Sequence, residues 1–227
     1  MLWEGLGEGG KVVAREKAGS VKVPWSGLII AVQPRIRLMR SFSEFQHSYL
    51  GYVLSIEGVR GSKPGEFQVA VGKGAHEKYH FRAGMELSGL SDPVSDRRLE
   101  TAEYYKTSGV RIEKDGSGPD NEAPPFLGVP PDLPTYRARG HRRLDPRTYS
   151  AKCSICIWGC EMPVEIIVDH WNPSEKQYRF ETFCYGPLSC KLYKAGRIRT
   201  VPGRRGMVYE EEDWVDEQMT DHRGPDD

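Results

Sequence analysis

The stretch Cys153-Ser-Ile-Cys156-Ile-Trp-Gly-Cys160, with Cys184-Tyr-Gly-Pro-Leu-Ser-Cys190 further along, contains all five cysteines of this 227-residue chain. A Cys-x2-Cys pair places two thiolates at the spacing that binds one tetrahedral Zn²⁺, and a second pair across a hairpin completes such a site. We therefore predict that Cys153, Cys156, Cys184 and Cys190 bind zinc, with Cys160 as the alternate ligand. Four thiolates leave no open position for water, so the metal is expected to be structural.

Other uses of these cysteines compete with zinc. Disulfides are disfavoured by the odd number of cysteines and by the lack of a signal-peptide pattern after Met1, and we expect a reducing, cytoplasmic location. A [4Fe–4S] cluster is the alternative cofactor, since four thiolates also suit it. Buried or redox-active free thiols are a further alternative.

The hydrophobic content favours small domains and excludes a membrane span. Hydrophobic residues make up 38% of the chain, and mean hydropathy is −0.58. No apolar run approaches the ~20 residues that a membrane-spanning helix needs, so no membrane association is predicted.

Residues 27–114 read as short strands separated by glycine-rich turns. The strand patterns include Gly27-Leu-Ile-Ile-Ala-Val-Gln and Gly65-Glu-Phe-Gln-Val-Ala-Val, and Phe81-Arg-Ala-Gly-Met-Glu-Leu-Ser-Gly leads into a later one. A short helix is predicted between Val94 and Thr107. This order resembles an OB-fold, a small five-stranded barrel, and the resemblance is one of fold and not of a particular family. It implies a surface that binds single-stranded nucleic acid.

The rest of the chain divides by composition. Residues 1–26 are expected to form an N-terminal arm. Residues 115–134, with six prolines and three glycines, are predicted to be a linker. Residues 135–206 form the four-cysteine module, whose hairpin from Val164 to Phe183 resembles a zinc ribbon or treble clef. Residues 207–227 are predicted to be an acidic tail. The fold class is therefore mostly β, of the α+β type.

Charge is distributed unevenly although the formal net charge is zero. Residues 130–206 carry 14 Lys and Arg against 7 Asp and Glu, whereas residues 207–227 carry 1 against 9. Arginine binds phosphates and stacks on bases, and aromatic rings supply further stacking. The predicted nucleic-acid-binding residues are Arg35, Arg37, Arg137, Arg139, Arg142, Arg143, Arg197, Arg199, Arg204, Arg205 and Tyr193.

One further motif, His76-Glu-Lys-Tyr-His80, matches the H-E-x-x-H pattern of zinc proteases. Nearby glycines leave no room for a long helix, and a surface loop with two solvated histidines is the preferred interpretation. No catalytic residues are predicted, and an enzymatic role is not favoured.

These observations together predict a zinc-containing protein that binds RNA or single-stranded DNA. The alternative is a zinc-stabilised accessory or scaffold subunit that binds a protein partner. Because the charge of the tail nearly cancels that of the basic module, the tail is also predicted to compete internally with nucleic acid.

Overall fold

The first five strands pair in a closed ring. The computed structural model describes residues 21–41, 45–116, 123–172, 174–211 and 213–224. The ring strands are β1 (Val23–Arg40), β2 (Phe45–Arg60), β3 (Lys63–Val71), β4 (Glu86–Pro93) and β5 (Tyr104–Lys114). Their spatial order is β1-β2-β3-β5-β4 and back to β1, and only β3 and β5 are parallel. Helix α1 (Lys73–Tyr79) connects β3 to β4.

Strand β1 bends twice. Its register against β2 shifts between Ile29 and Ala31 and again between Arg35 and Ile36. Such irregularities bend a strand and increase its twist. The first part of β1 pairs with β4 on one side, whereas its last residues pair with the second half of the chain there, and β2 pairs with both parts on the other side.

Two glycines allow β1 and β2 to approach closely. Gly27 lies opposite Gly58 in the register. A Cβ on Gly27 would lie 2.4 Å from the carbonyl oxygen of Glu57, and one on Gly58 would lie 2.1 Å from that of Ser26. Any side chain at either position would therefore push the strands apart.

One apolar core fills the ring and continues beyond it. Inward-facing residues alternate with more exposed ones along β1. The buried core side chains of the ring include Ile29, Ile36, Leu54, Ile56, Phe67, Val69, Phe81 and Leu87. The same cluster also contains Met162, Val164 and Tyr185 from the second half of the chain. The two halves thus share a core, and at least part of their folding free energy is common to both.

The second half extends the sheet of the ring. Strand β7 (Gly159–Ile167) runs parallel to the end of β1, where Leu38–Arg40 pairs with Val164–Ile166. Strand β8 (Lys176–Cys184) pairs antiparallel with β7, and the two-residue β6 (Arg142–Arg143) lies on its other side. The predicted hairpin is confirmed by this register. The result is one large mixed sheet that includes the ring.

The helices of the second half are short. They are α2 (Leu133–Arg139), α3 (Pro146–Thr148), which continues as a π-helical turn through Cys153, and α4 (Asp213–Thr220). Strands β9 (Arg199–Pro202) and β10 (Val208–Glu211) form a separate pair. Across the described ranges, none of the helices is long and apolar enough to cross a membrane.

The predicted helix between Val94 and Thr107 is wrong. Only a 3₁₀ turn, Arg97–Leu99, forms there, and the side chain of Asp96 caps it by accepting from the backbone N–H of Arg98. Tyr104 instead begins β5 and pairs with Val69 of β3. The pairing that completes the ring therefore overrides the local helix signal.

The proline-rich segment packs against both halves. Of residues 115–134, residues 117–122 lie outside the described ranges. The Tyr52 hydroxyl donates to the carbonyl oxygen of Pro131 at 2.8 Å, and the backbone N–H of Ile157 donates to that of Phe126 at 2.9 Å. The described part of this segment connects the ring to the cysteine loops by direct contacts. Of the predicted arm 1–26, residues 1–20 also lie outside the described ranges.

The H-E-x-x-H motif lies on α1 and not on a loop, which corrects the sequence interpretation. His76 is buried, and its Nε2 forms a 3.0 Å hydrogen bond with the carbonyl oxygen of Pro130. His80 follows the helix in a left-handed conformation, with φ of 48°, and is exposed. The two imidazoles therefore have separate surroundings, and His76 has a structural role.

Candidate metal centre and basic surfaces

Four of the five cysteines border one small cavity. Cys153 ends the π-helical turn, Cys156 follows it, Cys184 ends β8, and Cys190 lies in the next loop. All four line the same cavity, whose volume is about 10 Å³. That is about the space of one water-sized sphere. The structure thus brings together the four predicted ligands around a space of atomic size.

Tight backbone turns present these cysteines. The N–H of Cys156 donates to the carbonyl oxygen of Cys153 at 3.1 Å, and that of Gly159 donates to the carbonyl oxygen of Cys156 at 3.0 Å. At the second pair, the N–H of Gly186 donates to Sγ of Cys184 at 3.4 Å. A Cβ on Gly186 would lie 3.3 Å from Cβ of Trp158 and in van der Waals contact, at 3.4 Å, with this sulfur. Each pair therefore lies on a loop whose backbone turns around the sulfur.

Burial and mutual proximity disfavour ionisation of these thiols. Burial raises the pKa of Cys153 to about 12, and the nearby Cys156, Cys184 and Cys190 add to the effect. Burial also raises the pKa of Cys156 to about 11, partly offset by backbone N–H groups. Four adjacent thiolates would repel one another in this apolar setting unless a cation lay between them.

The sulfur atoms are not already arranged as a ligand shell. No group of three or more His, Cys, Asp or Glu side chains in the described part of the chain has the arrangement of a metal site. The shared cavity nevertheless lies within reach of all four thiols. Rotation about one Cα–Cβ bond moves a sulfur while the backbone stays in place. The backbone loops and the cavity fix where the sulfurs can go.

Cys160, the alternate ligand, lies elsewhere. It is fully buried in the main core on β7, and its Sγ donates to the carbonyl oxygen of Pro34 at 3.4 Å. Burial raises its pKa strongly. Cys160 is also not among the residues that line the cavity of the other four cysteines.

Two polar residues that the sequence analysis missed hold the first cysteine loop. Gln33 of β1 donates through Nε2 to the carbonyl oxygens of Cys153 and Cys156, both at 2.9 Å. The Tyr149 hydroxyl donates to Oε1 of Gln33 at 2.7 Å. The only signal in the sequence was the single amide of Gln33, directly after the apolar stretch Leu28–Val32.

The predicted arginines of β1 are engaged within the ring. Arg35 forms an ion pair with the buried carboxylate of Glu100, and its Nε donates to both carboxylate oxygens. Arg37 donates to the carbonyl oxygen of Leu99 at 2.9 Å. Both therefore fix the loop between β4 and β5.

The arginines next to the cysteines brace their loops. Arg139 donates to the carbonyl oxygen of Tyr185 at 2.8 Å and lies over the ring of Trp158. Arg142 donates to the carbonyl oxygen of Pro187 at 2.9 Å, and its guanidinium carbon lies 3.7 Å from the centre of the Tyr193 ring. These cations stabilise the loops on which the cysteines lie.

Two further arginines bind carboxylates in the interior. Arg143 is only 2% exposed and pairs with Asp216 at 2.8 Å and with Asp213. Arg199 pairs with the buried Glu181 at 3.1 Å. The described part of the acidic tail is thus docked on the basic module.

The remaining predicted residues lie at the surface or close to it. Arg137 is exposed and lies over the Tyr49 ring, and Arg204 pairs with Asp169 at 3.2 Å. Arg197 and Arg205 are exposed. The eleven predicted residues therefore do not form one continuous surface, since most of them make internal contacts.

Comparisons with protein-family models, with curated proteins and with solved structures found no match. The candidate site is therefore defined by this chain's own residues.

Proposed function

We propose that this protein is a zinc-stabilised binder of single-stranded nucleic acid, RNA in preference to DNA. In this proposal the ring is an OB-like barrel, and residues 135–206 are a module of the zinc-ribbon or treble-clef kind. The observation that carries it is the connectivity of the ring. The five strands pair in the order β1-β2-β3-β5-β4, with a helix between β3 and β4. This supports the proposal because OB folds are five-stranded Greek-key barrels.

The cysteine cavity supports the zinc. Cys153, Cys156, Cys184 and Cys190 supply four sulfur donors, the set that binds structural zinc in tetrahedral geometry. All four sulfur donors border the same small cavity, which is where a single ion would lie. Zinc would neutralise the thiolates and supply folding free energy to the loops. It would have no catalytic role, since four protein ligands leave no position for substrate.

Nucleic-acid binding is supported by the usual use of OB barrels and by the surface of the second half. OB folds bind oligonucleotides through the face of strands 2 and 3 and the adjoining loops, including the one between β4 and β5. In this chain that loop presents the exposed Arg97 and Arg98. Arg98 lies over the ring of Tyr178 from β8, so the loop and the hairpin form a continuous surface.

Metal content and binding test the two parts separately. We expect about one zinc per chain by elemental analysis and no brown chromophore. Anisotropy of short labelled RNA and single-stranded DNA should show binding that weakens with salt, with a log–log slope near −0.7 for each contacted phosphate. A chain without metal, or a brown one, would refute the zinc proposal. Absence of micromolar binding at low salt would refute the nucleic-acid proposal.

A second candidate function is an accessory or scaffold subunit that binds a protein. Exposed apolar side chains favour it, since Trp171 is 82% exposed and Trp214 is 55% exposed. The internal contacts of most predicted arginines also reduce the need for a polyanion. A purified protein with a high ratio of absorbance at 260 to 280 nm would favour nucleic acid. A stoichiometric protein that stays bound through purification would favour the second candidate.

A further inference from the structure

A groove runs along the outer edge of β8. Its volume is about 710 Å³, and its walls are β8 on one side and the chain around residues 194–200 on the other. Strand β6 pairs with β8 only at Phe183 and Cys184, and Leu144 continues the contact by donating to the carbonyl oxygen of Thr182. Beyond Thr182 the edge of β8 faces the groove. This groove lies in the second half of the chain, apart from the OB-like loops considered above.

The groove carries a net positive charge. Five cationic and two acidic side chains line it, which gives a formal charge of +3. Its two carboxylates are already engaged: Glu181 pairs with Arg179 and Arg199, and Asp145 accepts hydrogen bonds from the N–H and hydroxyl of Thr148. The hydrogen bonds from Thr148 leave the charge of Asp145 in place, so Arg179, Arg199 and Glu181 contribute +1 and the remaining three cations together with Asp145 contribute +2.

Those three cations are Arg147, Lys194 and Arg197. Each is exposed, and within the described ranges none of them forms an ion pair. Surface cations without partners bind phosphates without first giving up an internal contact. This distinguishes them from Arg142 and Arg143, whose side chains hold the cysteine loop and the tail.

An aromatic and an aliphatic side chain lie among these charges. Phe180 is 45% exposed although it lies in the middle of β8, and Ile198 is 49% exposed on the opposite wall. A partly exposed ring beside unpaired cations is the combination that proteins use for single strands, where cations follow the backbone and rings stack on bases. Bases paired within a duplex are stacked on each other and do not offer a free face to such a ring.

We propose that this groove binds a single-stranded nucleic acid, with phosphates on Arg147, Lys194 and Arg197 and one base stacked on Phe180. The proposal rests on the proposed function, for which it names the contact surface. An acidic peptide would satisfy the charges but would leave the ring of Phe180 without a stacking partner. Single-stranded nucleic acid is therefore the occupant that charge and ring together favour.

The cations are tested by a matched pair of triple variants. Arg147→Ala/Lys194→Ala/Arg197→Ala removes the groove cations. Lys73→Ala/Lys78→Ala/Arg111→Ala removes three exposed cations of α1 and β5, which lie outside β2, β3 and the loop between β4 and β5. Both variants change the net charge by −3. Binding of a labelled oligouridine of about twelve nucleotides, within the usual site size, is measured across salt. The groove variant should lose about 2 from the magnitude of the log–log slope, since each phosphate contributes about 0.7. The control variant should keep the wild-type slope.

The ring of Phe180 is tested by Phe180→Leu and Phe180→Tyr. The leucine variant keeps an apolar side chain and loses the aromatic face, so affinity should fall about 5- to 150-fold, the range for loss of one stacked base. The tyrosine variant should bind like the wild type. Thermal unfolding of both variants shows whether the fold is retained.

The outcomes separate the groove from the general function. If the wild type does not bind the oligonucleotide, the proposed function fails and the groove proposal fails with it. If the wild type binds but the two triple variants weaken binding equally, the effect is one of net charge and the groove is refuted. Equal affinity of Phe180→Leu and wild type would refute the stacked base. Tighter binding of a labelled polyglutamate peptide than of RNA, lost in the groove variant, would assign the groove to a protein partner instead.

Discussion

Nε2 of Gln33 donates a 2.9 Å hydrogen bond to the carbonyl oxygen of Cys153, although the two residues are 120 positions apart in the sequence. A second bond of 2.9 Å reaches the carbonyl oxygen of Cys156. One amide on the ring thus holds both ends of the Cys-x2-Cys turn. This contact couples the geometry of the proposed zinc site to the folding of the ring.

Replacing Gln33 with alanine should destabilise the protein and weaken metal retention. The change leaves the Tyr149 hydroxyl without this partner and removes one of the two hydrogen bonds at each carbonyl oxygen, at a cost of about 1–3 kcal/mol in the free energy of unfolding. Urea unfolding and zinc release to a chromogenic chelator measure the two effects. Gln177→Ala, at an exposed position of β8, is the matched control. A Gln33→Ala protein that unfolds and releases zinc like this control would show that the contact is not important.

Serine at any one of the four cavity cysteines should abolish or strongly weaken zinc binding. Cys184→Ser is the sharpest choice, since Cys184 is at the end of β8 and its sulfur accepts a backbone hydrogen bond. Cys160→Ser should retain one zinc per chain, because Cys160 lies in the main core. Elemental analysis of the two purified variants gives the answer. Loss of zinc from Cys160→Ser with retention in Cys184→Ser would reverse the ligand assignment.

The sequence predicted much of this arrangement because the signals were local. The Cys-x2-Cys spacing, the hairpin around Asn172 and the strand patterns of the ring each lie within about twenty residues. Such patterns follow from side-chain periodicity and turn chemistry, which a single sequence contains. The mostly β fold could therefore be predicted, as could the four cysteines that border the cavity.

The partners of the arginines could not be predicted in the same way. Arg35 pairs with Glu100 and Arg143 with Asp216, across 65 and 73 positions of sequence respectively. Nothing local distinguishes a cation that will meet a distant carboxylate from one that stays exposed. The parallel pairing of β1 with β7 was also missed, since it is specified by the core that the two halves share and not by a pattern in either strand.

Stability should fall as the pH decreases from 6.5 towards 4. The rings of His47 and His141 are in contact, with their centres 4.7 Å apart and their planes tilted by 57°. Burial, with a further contribution from Arg40, lowers the pKa of His47 from 6.5 to about 4. Burial, with His47, Arg199 and Arg40, also lowers the pKa of His141 well below 6.5. Between pH 6.5 and pH 4 the unfolded chain binds protons at these two histidines that the native state does not bind. The stability that the two neutral histidines contribute to the native state is therefore complete above pH 6.5 and is lost towards pH 4.

His47→Phe should flatten this pH dependence. The Nε2 atom of His47 is buried with no hydrogen-bond partner in the described ranges, so the change removes a titrating group and breaks no bond of that atom. Between pH 7 and pH 4, protonation of His47 should lower the free energy of unfolding of the wild type by up to about 3 kcal/mol. The variant should lack this contribution. Urea unfolding at several pH values measures the slope. His170→Gln, at an exposed histidine, is the matched control, and an unchanged slope in His47→Phe would contradict the assignment.

The contacts of the acidic tail are part of the folded structure. This modifies the expectation that the tail competes with nucleic acid. Its carboxylates bind Arg143 and Arg40, both at most 5% exposed. These contacts do not involve Arg147, Lys194 or Arg197 of the groove. Removing tail charge should therefore affect folding more than it affects access to the groove.

Asp216→Asn is the change that separates the two roles of the tail. Oδ2 of Asp216 accepts bonds from the backbone N–H of Arg143 at 3.1 Å and from Nε at 2.8 Å. Loss of one partner of a buried ion pair costs about 3 kcal/mol, so the variant should unfold at lower urea concentration than Asp221→Asn, a change at an exposed carboxylate. Its affinity for the labelled oligonucleotide at low salt should equal that of the wild type. Wild-type stability together with tighter binding would instead establish the tail as a competitor, because the carboxylate would then act on the ligand surface and not on the buried guanidinium of Arg143.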